Sequence, residues 1–275
     1  MNEECYLNGR YLPLKDAFVH AYDIGMTRGY GIYEGIMVYG EKPFRLEEHL
    51  ERFEAGAKIL NLKIPHTPKE IENVILELVR RNGFGDTKIR IILTGGDTVN
   101  SVEYDPKKPT FFVMAEEYIS LPEDFYNKGG EVMTYEHQRF MPGCKTINYI
   151  TAVNLQSKRK EKKAIEILYV SNGRVLEAST SNFFIFKGDT LITPKENILF
   201  GITRKVVLEL AKGKFKVEER EVKAEELQEA DEAFITASYK EIVPIVRING
   251  ALVGDGKVGR RTVSLMESFK KITRG

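Results

Sequence analysis

The chain has 275 residues, 42% of them hydrophobic and 29% charged, which is enough for one large domain or two modest ones, each with its own core. A formal net charge of +1 excludes the global pull toward DNA, RNA or an anionic membrane that a strongly basic protein would have. Cys5 and Cys144 make no disulfide framework and fit a reducing compartment, the cytoplasm; no apolar run approaches membrane-spanning length, and Met1-Asn-Glu-Glu-Cys5 does not read as a signal peptide.

Asn8-Gly9, between two short apolar runs within 5–12, is a tight hairpin signal. Residues 23–35 hold four glycines in thirteen positions, so the backbone there is either pressed close to something or forms a tortuous loop. Arg28 and Tyr33 are the polar groups of that stretch able to face a substrate. Strands are expected at 36–39 and 43–45. Leu46, Leu50, Phe53, Ala57 and Leu60 then share one face of an amphipathic helix. On that helix Arg52 is either a surface charge paired with Glu48 at i,i+4 or an inward fork for an anion, and the pattern alone leans to the first. A second helix spans 68–81, with Pro68 at its start. The strand at 88–94 carries Arg90 inside an apolar run. A charge there needs a partner if buried, so Arg90 is an edge-strand charge or a carboxylate-binding residue. A further strand covers 110–115. This organisation implies a small α+β domain over 1–118, a linker over 119–128 and a larger α+β domain over 129–275.

The second half opens with a strand at 131–135 and reaches Met141-Pro-Gly-Cys-Lys-Thr-Ile-Asn-Tyr149. Pro142 and Gly143 break the preceding segment and a helix is expected over 148–163, which puts Lys145 on a short ordered transition. The basic tail of that helix, 158–163, invites a nucleic-acid reading. Cations late in a helix are better explained by its carbonyl end, and no aromatic platform accompanies them. A hairpin over 165–176 turns at Asn172-Gly173, an aromatic strand covers 183–186, and a reversal follows at 187–192. A helix over 201–211 has free amide donors at its start, placed to receive phosphate. Strands at 214–220, 233–236 and 242–248 precede a final helix beginning near Val258.

Alone, Lys145 would be a surface charge. Downstream stand a polar turn with a lone acid, Glu177-Ala-Ser-Thr-Ser-Asn182, the helix start Gly201-Ile-Thr-Arg204, and Thr236-Ala-Ser238. A lysine, an acid and several anion-holding places are what a pyridoxal 5'-phosphate site requires: an amine for the aldehyde, a carboxylate for the ring nitrogen and donors for the phosphate. The four histidines, His20, His49, His66 and His137, match no metal spacing, so no metal is expected. Dinucleotide, Walker and nucleophile-elbow motifs are absent from the sequence.

In combination and in order, Arg52, Lys145-Thr-Ile-Asn, Glu177 to Phe184, Gly201-Ile-Thr-Arg and Thr236-Ala-Ser resemble the class IV (fold-type IV) pyridoxal-phosphate aminotransferases. That family includes branched-chain aminotransferases, D-amino-acid aminotransferases and aminodeoxychorismate lyases. The resemblance covers nearly the whole chain. It implies a two-domain α+β fold with the cofactor between the domains, and a homodimer with residues lent across its interface. By the same resemblance Lys145 is the Schiff-base lysine and proton carrier, and Glu177 holds the ring nitrogen. Arg52, the amides of Ile202 and Thr203, and Ser238 form the phosphate cup, while Tyr149 and Thr180 flank the cofactor. The implied reaction is ping-pong transamination between an amino acid and a 2-oxo acid.

The substrate motifs conflict. Tyr33-Glu-Gly35 and the 88–97 segment resemble the branched-chain group, but Arg28 occupies a position that is commonly apolar or aromatic there. The carboxylate-trapping arginine of the better-known D-amino-acid enzymes is missing, with Gly95 in its place. Arg28 to Ile32, Leu93 to Gly96 and Lys145 to Tyr149 are similar to a less common D-amino-acid group that grips the carboxylate with a different arginine pair. These motifs favour a D-amino-acid transaminase using D-alanine or D-glutamate with 2-oxoglutarate, with Arg28, Tyr33 and Arg90 as substrate contacts. An L-branched-chain aminotransferase is the alternative, followed by the lyase, a non-enzymatic scaffold and an (R)-amine substrate class.

Overall fold

A computed structural model describes residues 3–275; Met1 and Asn2, the head of the stretch weighed as a signal peptide, lie outside the described residues. The chain divides into two units. One is Met1–Ile119 with Cys144–Tyr149; the other is Ser120–Gly143 with Ile150–Gly275.

The first unit runs β1 (Glu4–Leu7), β2 (Arg10–Pro13), α1 (Ile24–Arg28), β3 (Gly31–Tyr39), β4 (Lys42–Pro43), α2 (Leu46–Ile59), α3 (Pro68–Asn82), β5 (Thr87–Thr94) and β6 (Thr110–Glu117). Its six strands form an antiparallel sheet in the order β2-β1-β6-β5-β3-β4. Burial alternates along β5 and β6 with the two-residue period of a sheet covered on one face. The buried set, including Ile89, Ile91, Leu93, Phe111 and Val113, lies on the face covered by α2 and α3. Thr67 and Glu70 form a reciprocal capping box that starts α3, with Pro68 in its first turn.

The glycine-rich stretch is not a loop. Asp23 caps α1 by accepting from the Gly25 amide at 2.7 Å, and its other oxygen takes the hydroxyls of Thr94 and Thr110 at 2.8 and 2.6 Å. Gly29, at φ 65°, ends the helix in the left-handed region, and β3 begins at Gly31, five residues earlier than the apolar pattern suggested.

The second unit contains α4 (Glu123–Asn127), β7 (Gly130–Glu136), α5 (Ile150–Asn154), α6 (Gln156–Glu161), β8 (Glu166–Ser171), β9 (Arg174–Ala178), β10 (Asn182–Lys187), β11 (Thr190–Thr193), α7 (Ile202–Ala211), β12 (Lys216–Glu219), β13 (Val222–Lys223), β14 (Glu232–Ala237), β15 (Glu241–Ile248), β16 (Ala251–Leu252) and α8 (Arg260–Arg274). The sheet order is β12-β11-β10-β14-β15-β7-β8-β9-β13, with β16 paired to β15. The β11–β12, β15–β7 and β7–β8 pairs are parallel and the others antiparallel. Val132, Leu168, Phe183, Ile185, Ile235 and Val243 lie in its core.

Three expectations are corrected here. The segment 119–128 is not a linker: it holds α4, Phe125 packs against the core, and the Tyr126 hydroxyl donates to the Lys240 carbonyl at 3.3 Å. The lysine segment, Cys144–Tyr149, clusters with the first unit although both flanking stretches belong to the second. The helix expected over 148–163 is two short helices broken at Leu155, a buried residue in the cluster of Met133, Ile167 and Tyr169.

Candidate active site

In the first unit the Lys145 segment lies along the outer edge of β3. The Tyr33 amide donates to the Lys145 carbonyl at 2.9 Å and the Ile147 amide to the Gly31 carbonyl at 3.1 Å, either side of an antiparallel Ile32–Thr146 bridge. These bonds hold Lys145 as though it were on a strand, which limits where its side chain can go. Its Nζ donates to the Tyr33 hydroxyl at 3.1 Å and stands 4.3 Å from the centre of that ring. The Tyr33 and Tyr149 hydroxyls are 2.5 Å apart. Lys145, Tyr33 and Tyr149, predicted separately, are thus one amine–hydroxyl–hydroxyl chain. Cys144 beside them is buried, with its Sγ 3.8 Å from the Gly56 carbonyl.

Glu48 is paired with Arg45 at 2.8 Å. Arg52 reaches Glu34 of β3, donating from Nε at 3.0 Å and from Nη2 at 2.7 Å. His49 Nδ1 is 3.0 Å from the same carboxylate. Glu34 is fully buried; burial pushes its carboxyl up, but Arg52 and His49 outweigh that and hold it well below the usual carboxylate range. Burial pushes His49 down, and Arg52 and Lys145 push the same way, so the imidazole is held neutral more firmly than in water. An acid within the apolar run of β3 was the sequence signal for this pair, because a buried charge requires a partner.

Arg90 lies opposite Gly35 on one side and Met114 on the other. On a sheet such neighbours point to the same face, so Arg90 shares the helix-free face with Tyr33, Ile92, Phe112, Met114 and Leu7, all half-buried. Gly35 leaves room beside it. Arg28, by contrast, is exposed at the end of α1, where Nε donates to the Ser101 carbonyl at 2.9 Å and Nη1 to the Thr27 carbonyl at 2.8 Å. Gly31 of β3 pairs with Thr94, four residues along β5 from Arg90, or about 13 Å at strand rise. Arg28 lies in the helix before that end of the sheet, with its guanidinium turned to the Ser101 and Thr27 carbonyls.

In the second unit, β9 carries Glu177, which is buried. Its Oε1 accepts from Arg139 Nε and Nη2 at 2.8 and 2.6 Å, and its Oε2 from the Leu199 amide at 3.0 Å. Arg139 was missed in the sequence; a lone cation between a strand end and the Pro142-Gly143 break was its only signal. Asn182 Nδ2 donates to the Leu199 carbonyl at 2.7 Å, and a Cβ on Gly201 would sit 2.2 Å from Asn182 Oδ1. A side chain at position 201 would have to displace the buried Asn182 amide from its bond to Leu199. The close approach brings the start of α7 to the end of β10, next to Thr236 of β14, which pairs with Asn182. Among the described residues no side chain caps α7 and no acid lies in its first turn, so the Ile202 and Thr203 amides are presented at a positive helix end. Ser238 follows in the β14–β15 turn. Arg204 points elsewhere, to the Pro194 carbonyl and Glu219, both at 2.9 Å.

Thr180 is tied to a buried carboxylate. Its hydroxyl donates to Glu166 at 2.5 Å and accepts from Lys240 Nζ at 2.6 Å. Ser181 and Ser179 also donate to Glu166, and Lys240 is ion-paired to it. This buried carboxylate ties the turn after Glu177 to the turn that carries Ser238; nothing in the local pattern announced it.

Residues 31–248 match the profile of the amino-transferase class IV family. The chain belongs to the class IV aminotransferases. A Methanocaldococcus jannaschii protein provisionally named a branched-chain-amino-acid aminotransferase is 36% identical over 97% of this chain and 95% of its own. A D-alanine aminotransferase of Listeria monocytogenes is 32% identical, covering 98% and 96%. Among solved structures, the branched-chain amino acid aminotransferase of Thermobaculum terrenum, in its cofactor-bound holo form, superposes at a TM-score of 0.88 with 26% identity, over 99% of this aminotransferase and 94% of that chain. Family membership sets the non-enzymatic scaffold aside. No helix among the described residues is long and apolar enough to cross a membrane.

Proposed function

We propose that this aminotransferase moves an amino group between a branched-chain L-amino acid and 2-oxoglutarate, using pyridoxal 5'-phosphate. The observation that carries the reading is Arg90, one cation in the middle of a half-buried apolar face that also presents Tyr33, the partner of Lys145. Ping-pong transamination needs a single pocket to take both substrates in turn. An apolar surface accepts an aliphatic side chain, worth about 1.5–3 kcal/mol when fully buried. A guanidinium amid that surface accepts the side-chain carboxylate of glutamate or 2-oxoglutarate. The branched-chain enzymes among the relatives and solved structures support the same side.

The residues present suit the cofactor. When bound, it supplies an aldehyde that condenses with amines and a ring that withdraws electrons from the Cα–H bond. Lys145 provides the amine and moves the proton at its Nζ, with the Tyr33 and Tyr149 hydroxyls orienting that atom. Glu177, ion-paired to Arg139, is suited to a protonated ring nitrogen. The uncapped start of α7 with Ile202 and Thr203, together with Ser238 and Arg52, suits the phosphate. Thr236 Oγ1, buried beside this end of α7 and without a hydrogen-bond partner among the described residues, marks the same place as one that is polar and incompletely satisfied by protein.

A D-amino-acid substrate is the second reading, supported by the Arg28 to Ile32 segment and by the D-alanine aminotransferase relatives. The two enantiomers present the same Cα proton if the carboxylate and side-chain positions exchange, so fold alone does not choose. A homodimer is supported by the exposed apolar side chains of Phe18 and Tyr22, of Met26 on the helix that follows them, and of Val99 and Val102, the two stretches being joined by the Thr98 amide to the Tyr22 carbonyl at 3.0 Å. The free thiols of Cys5 and Cys144 support a cytoplasmic site of action.

The deciding experiment mixes the cofactor-loaded enzyme separately with L-leucine, L-glutamate, D-alanine and D-glutamate and follows the visible absorbance of the cofactor. Rapid change with the L-acids alone is expected. Change with the D-acids alone would install the second reading, and no change with any donor would reopen the lyase.

A further inference from the structure

The sheet of the second unit is rolled, and one buried carboxylate sits where the roll meets itself. In sheet order four strands, β14, β15, β7 and β8, lie between β10 and β9. In the chain only residues 179–181 join the two. In a flat sheet five strand spacings would hold β9 and β10 about 24 Å apart, but the link from Ala178 to Asn182 reaches about 14 Å at most. The sheet therefore curls until β9 and β10 touch. Glu166, 2% exposed, lies at this seam and takes no part in the chemistry of Lys145 or Glu177.

We propose that Glu166 and Lys240 are positioning residues that clamp the β14–β15 turn to the link between β9 and β10, and so fix the span between Glu177 and the phosphate seat at the end of β14. The inference rests on the assignment of Glu177 to the ring nitrogen and of Ser238 to the phosphate.

Every residue of the link is bound to the one carboxylate. The Ser179 hydroxyl donates to Glu166 Oε2, and those of Thr180 and Ser181 donate to Oε1, Ser181 at 2.9 Å. The link is thereby fixed to β8, the neighbour of β9. Lys240 comes from the other wall of the roll, in the turn between β14 and β15. Its Nζ donates to Glu166 Oε1 and, at 2.6 Å, to the Thr180 hydroxyl. Glu177 stands two residues before Ser179, and Ser238 two residues before Lys240, so any slip between turn and link reaches both within two residues. Thr236, whose buried hydroxyl has no partner among the described residues, marks the seat beside the start of α7. A seat whose span is set beforehand does not have to be ordered by its ligand.

The turn itself carries strain. Glu241, directly after Lys240, has φ 59°, in the left-handed region that a side chain disfavours. The Lys240 amide closes the turn on the Ala237 carbonyl at 3.1 Å, and the Lys240 side chain adds the tie across the seam. Stability alone does not call for this arrangement, because well-packed apolar residues replace a buried ion pair with little or no loss. Burial raises the Glu166 carboxyl, but Lys240, with the Ser179 and Thr180 hydroxyls, outweighs that and holds it below the usual carboxylate range. The anion and the ammonium cancel, so the clamp brings no net charge to a phosphate.

The test compares release of pyridoxal 5'-phosphate from the loaded enzyme with release of pyridoxal, which lacks the phosphate and can follow Glu177 freely. Each is followed by visible absorbance after adding a carbonyl scavenger. Lys240→Met is expected to speed release of the phosphorylated cofactor at least tenfold and to leave pyridoxal within twofold of the parent. In a Ser238→Ala background the effect of Lys240→Met should shrink below threefold, since the hydroxyl it positions is gone. Equal acceleration of both cofactors would mean a structural role and overturn the proposal. An undiminished effect in the Ser238→Ala background would overturn it too, because Lys240 would then act by another route. If Ser238→Ala speeds only the phosphorylated cofactor while Lys240→Met changes nothing, the clamp is wrong and the seat stands. If Ser238→Ala does not distinguish the two cofactors, the assignment of Ser238 fails and the proposal with it. Should Lys240→Met not fold, Glu166→Gln carries the same comparison.

Discussion

Lys145 Nζ donates to the Tyr33 hydroxyl at 3.1 Å, although the two residues are 112 positions apart in the chain. The amine proposed as the reactive one is therefore held by a side chain of the strand beside which its own segment is docked. Such an amine has a defined direction before any cofactor arrives, which is the condition for efficient nucleophilic attack and proton transfer.

Lys145→Ala should abolish multiple-turnover transamination while preserving secondary structure and thermal midpoint, because Lys145 is half-buried and its backbone bonds remain. Tyr33→Phe keeps the ring under the amine and removes only the hydroxyl. A hydrogen bond to a charged group is worth about 1.5–3 kcal/mol, so kcat should fall roughly ten- to a hundredfold with the cofactor retained. Steady-state kinetics with circular dichroism checks both; parental turnover by Lys145→Ala would sink the mechanism.

Arg90 should separate the two substrates. Arg90→Ala removes the cation from the apolar face, so kcat/KM for L-glutamate and 2-oxoglutarate is expected to drop about ten- to a hundredfold, with L-leucine changed only a few-fold. Arg28→Ala is expected to leave L-leucine and L-glutamate within a few-fold of the parent. A selective loss of D-glutamate turnover in Arg28→Ala would instead support the D-amino-acid reading.

Arg139 holds the buried Glu177 through two bonds from its guanidinium. Arg139→Leu leaves a carboxylate in the interior without its ion pair, a change that typically costs about 3–5 kcal/mol. A lowered urea midpoint together with weaker cofactor retention is expected. A midpoint equal to the parent's would show that the pair contributes nothing to stability.

Stability should fall in two stages as the pH is lowered. His49 has a native pKa below its unfolded value of about 6.5, so the unfolded chain binds the proton first and stability is lost from about pH 6.5 downward. Glu34 and Glu166 are depressed: burial raises both, but Arg52 with His49, and Lys240 with the Ser179 and Thr180 hydroxyls, outweigh it. Their contribution is present above the unfolded carboxylate pKa of about 4.3 and disappears as the pH falls through the lower native values. Urea midpoints measured from about pH 8 to about pH 3.5 should show both stages. In His49→Leu the upper stage should flatten while the lower one persists.

Much of this protein was legible in its sequence, because the relevant signals are local. Hydrophobic period, the Thr67–Glu70 cap, Asn8-Gly9 and the glycine of the α7 start each act within a few residues, and the ordered set of Lys145, Glu177, Gly201-Ile-Thr and Thr236-Ala-Ser places the chain in its family. The tertiary structure decided what depends on strands and helices distant in the chain finding their register. Arg52 had an acid at the right helical spacing in Glu48, and it reaches Glu34, eighteen residues away, because β3 buries that carboxylate and leaving a buried charge unpaired is far more costly than leaving a surface one so. Arg28 and Arg90 look alike as lone arginines in the sequence. Sheet register puts one in an apolar face and strand direction puts the other on an exposed helix end. The same cause moved Lys145 into the unit that its flanking residues do not belong to: backbone donors and acceptors at an open strand edge demand partners, and the nearest segment able to supply them was the one carrying the amine.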